Sequence, residues 1–447
     1  MTVYYDCVNR RENKMKVGIP YGKTTVICEI PDARVRGVLY SHAHDYKAAA
    51  GEADLVREAL RTPVDSPPLR ELAKGKRRVV VITSDHTRPV PSAVTMPILS
   101  REIRAGNPEA DITILVATGM HRDMTKDEII ARFGAEIASR EKIIVHDCRD
   151  DANLVSLGTL PSGGDLVIDR LAVDCDLLVA EGFIEPHFFA GFSGGRKAIL
   201  PGIAGYQTVL ANHCAEFISH DHARTGVLDG NPIHEDMIFA ARAAKLAFIL
   251  NVVLDSDKKI IAAFAGDTDT AHRRGCDFLK GLAGVKPVPA DIVITGNGGY
   301  PLDQNIYQAV KCMTGAEASI NPGGVIVVAS ECSDGHGGAA FYDTFKDTRS
   351  PAEVMKAICA RGRSETLPDQ WQIQIFMRIL LKHKVIMAAS VPPEMIEHLG
   401  MIPAPGFLSS SGASLNGALA AAEKLVGKDD ASVTVIPDGV SVIVEPQ

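Results

Sequence analysis

Short apolar runs recur along the chain, each closed by a polar loop and followed by a segment of helical periodicity. The runs are Arg78-Val-Val-Val-Ile-Thr, Asp111-Ile-Thr-Ile-Leu-Val-Ala, Lys142-Ile-Ile-Val-His and Asp176-Leu-Leu-Val-Ala in the first part. Asp291-Ile-Val-Ile-Thr-Gly, Gly324-Val-Ile-Val-Val-Ala and Lys384-Val-Ile-Met-Ala-Ala continue the series. They are continuously apolar, which is the pattern of strands buried on both faces. Strand, loop and helix in repetition predict a parallel, doubly wound sheet. Helices are expected at Pro97 to Ala105, Thr125 to Ile137, His234 to Lys245, Thr268 to Leu282 and Ala413 to Lys424. For the last of these, Ser409 to Ser411 are the capping candidates and Gly427 the stop. Residues 15 to 40 alternate instead and predict an antiparallel meander, and Ala247 to Leu254 with Lys259 to Ala265 predict a hairpin.

The stretch GVKPVPAD, Gly284 to Asp291, holds two prolines and no periodicity, and marks a boundary. Two α/β domains are therefore expected, 1–284 and 285–447. Each has a mainly parallel, Rossmann-like sheet flanked by helices, with the active site in the interdomain cleft. The length of 447 residues suits two cores of ordinary size. A net charge of -8 without a basic tract argues against nucleic-acid binding. No apolar run reaches the roughly 18 residues of a membrane span, and the amino terminus lacks the apolar segment of a signal peptide. The nine cysteines are scattered with no C-x-x-C pair, which points to reduced thiols and a cytoplasmic protein.

The candidate chemistry collects in the loops at the carboxyl ends of strands, where open α/β sheets bind ligands. These loops offer Asp85 and Arg88; His121 and Arg122; His187, Arg196 and Lys197; and, from the other domain, Asn297 through Lys311. The richest stretch is Glu181 to His213, EGFIEPHFFAGFSGGRKAILPGIAGYQTVLANH. A helix is expected to open near Pro201 and to carry His213 near its end. Histidine serves as acid or base near neutrality, and arginine clamps a carboxylate with two parallel hydrogen bonds. Lys197 beside two glycines could hold a phosphate or form a covalent adduct. The loop does not fit a P-loop, no G-x-G-x-x-G follows a strand, and no H-E-x-x-H or tight His/Asp cluster is present.

The segments SDHTRP, GMHR, PHFFAGFSGGRKAILPGIAGYQTVLANH, NGGYPLDQNIYQAVK and DQW together resemble the lactate racemase family, the nickel-pincer nucleotide-dependent 2-hydroxyacid racemases and epimerases. The likeness runs in order from about residue 80 to 375. It implies a cofactor, pyridinium-3-thioamide-5-thiocarboxylic acid mononucleotide with nickel, tethered covalently through Lys197. It implies His213 as the nickel ligand and His121 and His187 as acid-base residues on opposite faces of the substrate. Arg88 would bind the substrate carboxylate, with Gln308 and Lys311 assisting. Asp85, Tyr307 and Lys311 would contact the cofactor, and Trp371 would line the substrate pocket.

The implied activity is inversion at C2 of a 2-hydroxy acid, lactate or a relative. Hydride is abstracted from C2 and returned to the other face of the planar keto acid. Two bases are needed, one for the hydroxyl of each enantiomer, and the sequence offers two. The small 2-hydroxy acid and the proteins that synthesise the cofactor would be the partners. Two other classes stay open at this point. One is a nicotinamide-dependent 2-hydroxyacid dehydrogenase, against which the missing glycine fingerprint counts. The other is a non-catalytic phosphate-ligand binding protein, which has little use for two histidines and a separate arginine.

Overall fold

The computed structural model of the chain describes residues 8–11, 13–346 and 350–445. The chain divides into two compact units, residues 42–282 with 363–365, and residues 1–41, 283–362 and 366–447. Both are α/β with mainly parallel sheets.

The unit formed by 42–282 is built on a six-stranded sheet. In spatial order its strands are Ile260–Gly266, Leu246–Leu254, Leu177–Phe183, Arg78–Ser84, Asp111–Ala117 and Lys142–Val145. Only the first is antiparallel to its neighbour. The hairpin expected around 247–265 thus forms the edge of this sheet. All seven residues of Leu177–Phe183 are buried, since helices cover both faces and leave no side for polar residues. From Arg78–Ser84 the chain winds first towards Lys142–Val145, then crosses to Leu177–Phe183 on the other side. The topological switch therefore lies between Leu177–Phe183 and Arg78–Ser84, and the carboxyl ends of strands at such a point are where open α/β sheets bind ligands.

The other unit carries a second six-stranded sheet, all parallel, in the order Ile402–Pro403, Lys384–Ala388, Ile320–Ala329, Ala290–Gly296, Val433–Ile436 and Val35–Val38. Its switch point lies between Ala290–Gly296 and Val433–Ile436, and the loop NGGYPLDQN leaves from there.

The sequence reading placed residues 1–284 in one domain. The chain instead returns residues 1–41 to the carboxyl-terminal unit. Val35–Val38 adds an edge strand to that sheet. The meander Val8–Arg11, Lys14–Tyr21 and Thr24–Pro31 lays Val17, Ile19, Tyr21, Val26 and Ile30 on Ile292, Val327 and Val433. Burying these alternate side chains needs an apolar sheet face, and only long-range packing reveals which sheet supplies it.

Three local expectations also change. The helix expected from Pro201 begins at Tyr206, and His213 is its C-cap. Ser409 to Ser411 are exposed and do not cap the late helix, which runs Asn416–Val426 with Leu415 before it; Gly427 does stop it, with φ 73°. The hairpin Leu154–Thr159 with Asp165–Asp169 and the helices Pro351–Cys359 and Gln370–Lys382 were not anticipated. Among the described residues no helix is long and apolar enough to cross a membrane.

Candidate active site

Because Arg78–Ser84 and Asp111–Ala117 are parallel neighbours in register, Ser84 opposite Ala117, the loops that follow them meet. Asp85 and His121 are thereby brought together: His121 Nδ1 lies 2.7 Å from Asp85 Oδ2. Asp85 is buried, and its other oxygen accepts the Thr87 amide at 3.0 Å and the Thr87 hydroxyl at 2.6 Å. Burial alone would raise this carboxyl. The hydrogen bond and charge of His121, with the Thr87 bond and the nearby Arg88, hold it below its ordinary value. An ionised Asp85 on Nδ1 fixes the ring and its tautomer, leaving Nε2 of the exposed His121 for other chemistry. The sequence reading gave Asp85 to the cofactor; in the structure both its oxygens serve His121 and Thr87.

On the other side of the switch point, Leu177–Phe183 runs into a tight hairpin in which Pro186 and His187 pair with Phe192 and Gly191. A short 3-10 turn, Gly195–Ala198, follows and carries Lys197. Four side chains hold this loop by its backbone. Asn231 Nδ2 donates to Phe189 O at 2.8 Å, and Arg196 Nη2 donates to Ala190 O at 2.7 Å. His272 Nε2 donates to Ser193 O at 2.7 Å, and Asn251 Oδ1 accepts from Gly195 N, also at 2.7 Å. Gly194 and Gly195 have φ of 78° and 53°, and a Cβ on Gly195 would lie 2.7 Å from the His272 ring. The glycines thus answer both a backbone conformation and a close approach.

The sequence reading treated Arg196 and Lys197 as a basic pair, but the structure separates them. Arg196 is fully buried, and desolvation brings its guanidinium down to about 10. It is a clamp for the loop. Lys197 is half-buried, with Nζ 5.9 Å from the centre of the Phe189 ring. The same ring meets His187 edge-on at 4.5 Å and His213 at 5.1 Å. Phe189 therefore gathers three of the expected site residues around one aromatic ring. His213 is buried, and desolvation, aided by the Lys197 charge, brings it down to about 3. Its imidazole is neutral at any ordinary pH, the form that ligates a metal.

Among the described residues no three His, Cys, Asp or Glu side chains converge as a metal site. A metal on His213 would need its remaining donors from a non-protein group. A half-buried amine near a neutral imidazole, both beside Phe189, fits a tethered group that brings them.

Tyr307, Gln308 and Lys311 lie in the other unit on the helix Ile306–Glu317, which follows the strand Ala290–Gly296. Spacings of three and four place Gln308 and Tyr307 on the face of Lys311. The Tyr307 hydroxyl donates to Asp369 Oδ1 at 2.9 Å, and the Gln372 amide donates to Tyr307 O at 2.5 Å. The DQW segment that carries the half-buried Trp371 is so joined to this helix.

Residues 21–226 match the lactate racemase N-terminal domain, and residues 285–444 match the lactate racemase C-terminal domain. The chain belongs to the lactate racemase family. Its relatives include the lactate racemase of Thermoanaerobacterium thermosaccharolyticum, 56% identical over 96% of this chain and 99% of that protein. That of Lactiplantibacillus plantarum is 50% identical over the same shares. The solved lactate racemase apoprotein from T. thermosaccharolyticum superposes with a TM-score of 0.91 at 54% identity, covering 96% of this chain and 100% of that one. A Thermotoga maritima protein at 18% identity and TM-score 0.63 shares the fold.

As a member of this family the protein is an enzyme, an isomerase of the racemase type. The dehydrogenase and carrier readings fall away. Sequence reasoning missed Thr87, Phe189, Asn231, Asn251 and His272 in this racemase. Thr87 and Phe189 sat inside quoted motifs without a role. Asn231 is the N-cap of the helix Pro232–Ala243, and for Asn251 and His272 the only signal is a polar residue inside a strand or helix.

Proposed function

We propose that the protein racemises lactate, or a closely related 2-hydroxy acid, at C2. The carrying observation is that two sets of groups lie in loops that follow the strands at one switch point. Asp85, Arg88 and His121 come from one side, and His187, Lys197 and His213, arranged on Phe189, from the other. In this reading Lys197 is the tether and His213 the metal ligand of a nickel-pincer nucleotide. When bound, that group supplies a hydride acceptor and donor at the substrate's C2.

The chain's own residues do the rest. Arg88 holds the substrate carboxylate, so that only the C2 substituents need to exchange. His121 Nε2 takes or returns the hydroxyl proton of one enantiomer, with Asp85 stabilising the imidazolium that forms. His187 does the same for the other enantiomer. Gln308 and Lys311 are assigned to the substrate, Tyr307 and Lys311 to the cofactor, and Trp371 to the substrate pocket. A cytoplasmic setting and a supply of cofactor by dedicated synthesis proteins belong to the same proposal.

Mass spectrometry of the intact chain from a host that makes the cofactor tests the tether. An adduct on Lys197 that Lys197→Ala abolishes, together with nickel that His213→Ala loses, is the expected result. Full activity in Lys197→Ala sinks the assignment. Single-turnover reactions of His121→Ala and His187→Ala with each pure enantiomer test the paired bases. Half-reactions of opposite handedness are expected, and identical behaviour refutes the pairing.

A further inference from the structure

Arg88 sits on an exposed loop, yet a carboxylate clamp must keep its orientation before substrate arrives. Besides its amide on Asp85 O at 3.2 Å and a longer contact of Nη1 to Thr87 O at 3.4 Å, two contacts restrain it. Its Nη1 donates to the Thr87 hydroxyl at 2.9 Å, and that hydroxyl donates on to Asp85 Oδ1 at 2.6 Å. Asp85 Oδ2 in turn receives His121 Nδ1. The polarity is consistent along the chain: guanidinium to hydroxyl to carboxylate, and imidazole to the same carboxylate. Thr87 engages one N–H of the five on the guanidinium and leaves the others for a carboxylate.

The second contact comes from the helix Lys126–Arg140. Arg132 Nη1 donates to the backbone oxygen of Arg88 at 3.0 Å. Arg132 is largely buried; desolvation lowers its guanidinium, and the carboxylates of Glu181 and Asp85 oppose that. Glu181 accepts from the hydroxyls of Thr83 at 2.6 Å, Ser92 at 2.5 Å and also Thr95. Ser92 and Thr95 lie just beyond the Arg88 loop, so that loop is held at Asp85, at Arg88 O and at its exit into the next helix.

We infer that Thr87 and Arg132 are positioning residues for the substrate carboxylate, Thr87 by holding the Arg88 side chain and Arg132 by holding its backbone. Thr87 also couples the clamp to the His121–Asp85 pair, so that carboxylate and hydroxyl are placed by one connected set of hydrogen bonds. The inference rests on Arg88 being the carboxylate clamp.

The test is steady-state kinetics on the cofactor-loaded enzyme with D- and L-lactate, plus inhibition by propionate, which offers a carboxylate and no hydroxyl. Thr87→Val and Arg132→Met should each raise KM and the propionate inhibition constant about tenfold, the effect of losing one hydrogen bond to a charged group. In Arg132→Met kcat should stay within about threefold, because no group that meets C2 is lost; in Thr87→Val the rise in KM should exceed any fall in kcat, since Asp85 keeps the Thr87 amide and His121. Thr87→Ser, which keeps the hydroxyl, should restore both constants. Unchanged KM and inhibition constants in Thr87→Val, or a fall in kcat with KM unmoved, overturn the proposal. Thr87→Val keeps the side-chain shape at an exposed position, so it stays decisive if Arg132→Met does not fold. An Arg88→Gln enzyme with wild-type KM would instead overturn the assignment of Arg88 itself.

Discussion

At the scale of single residues, the site depends on small numbers of short contacts made by buried groups. Asp85 is the clearest case, since one carboxylate sets the tautomer of His121 and receives the Thr87 hydroxyl. Asp85→Asn keeps the shape and removes the charge that steadies the imidazolium. It should keep the fold and lose most of the roughly 10²- to 10⁴-fold that acid-base catalysis supplies, read as kcat against an unchanged melting temperature. A kcat within threefold of the parent would show that the pair is not used. Phe189 works through shape. It is 3% exposed and touches His187 and His213 by ring edges. Phe189→Leu should cost on the order of 1–2 kcal/mol in urea unfolding. Nickel content of the purified protein should drop at the same time, because His213 loses the surface that fixes its ring. Full nickel with a normal rate would reduce Phe189 to a packing residue.

At the scale of elements, the hairpin and 3-10 turn between Leu177–Phe183 and Tyr206–Asn212 act as one rigid piece. Its carbonyls and an amide are taken by Asn231, Asn251 and His272, from three other parts of the chain, and by its own Arg196. Fixing a loop in this way removes the ordering cost that a bound group would otherwise meet. Gly195→Ala puts a methyl 2.7 Å from the His272 ring on a backbone with φ 53°. It should destabilise the protein by roughly 1–3 kcal/mol and lower the fraction of chains carrying an adduct at Lys197. Mass spectrometry reads the second quantity independently of activity. Unchanged stability and loading would mean that the turn has room to relax.

At the scale of the whole molecule, two buried histidines make the fold sensitive to acid. His234 is brought down to about 3 by desolvation, with help from Arg196 and Arg273. His272 is held well below its ordinary 6.5, again by desolvation first and Arg196 second. Both are neutral when folded and take up protons once unfolded. Their contribution is complete above pH 6.5 and is lost as the pH falls below it, for His234 down to about 3, by on the order of 1 kcal/mol per pH unit while the unfolded chain alone takes up the proton. Urea unfolding at pH 7.5 and 5.5 should show that loss, and His272→Gln should reduce it while His234 keeps the rest. Equal stability at the two values would falsify the account. Removal of residues 1–31 is a second test at this scale. It strips Val17, Ile19, Val26 and Ile30 from the core of the carboxyl-terminal unit and should leave that unit unable to fold in isolation, judged by amide dispersion.

The continuously apolar runs determined by themselves that the sheets are parallel and covered on both faces, because a strand buried on two sides has no position left for alternating polar residues. The loops after those runs likewise marked where chemistry would lie, and the motifs within them were specific enough to indicate the family. Strand order was not legible, since nothing local says that Arg78–Ser84 lies between Asp111–Ala117 and Leu177–Phe183. That order alone brings Asp85 to His121 and sets the switch point beside them. The home of residues 1–41 was hidden for the same reason: an amphipathic meander records that it needs an apolar partner, not which one. Arg196 and Lys197 are adjacent in sequence and opposite in use, one buried as a clamp and one turned towards Phe189. Chain neighbours in a tight turn point different ways, and only the packing around the turn decides which direction is interior.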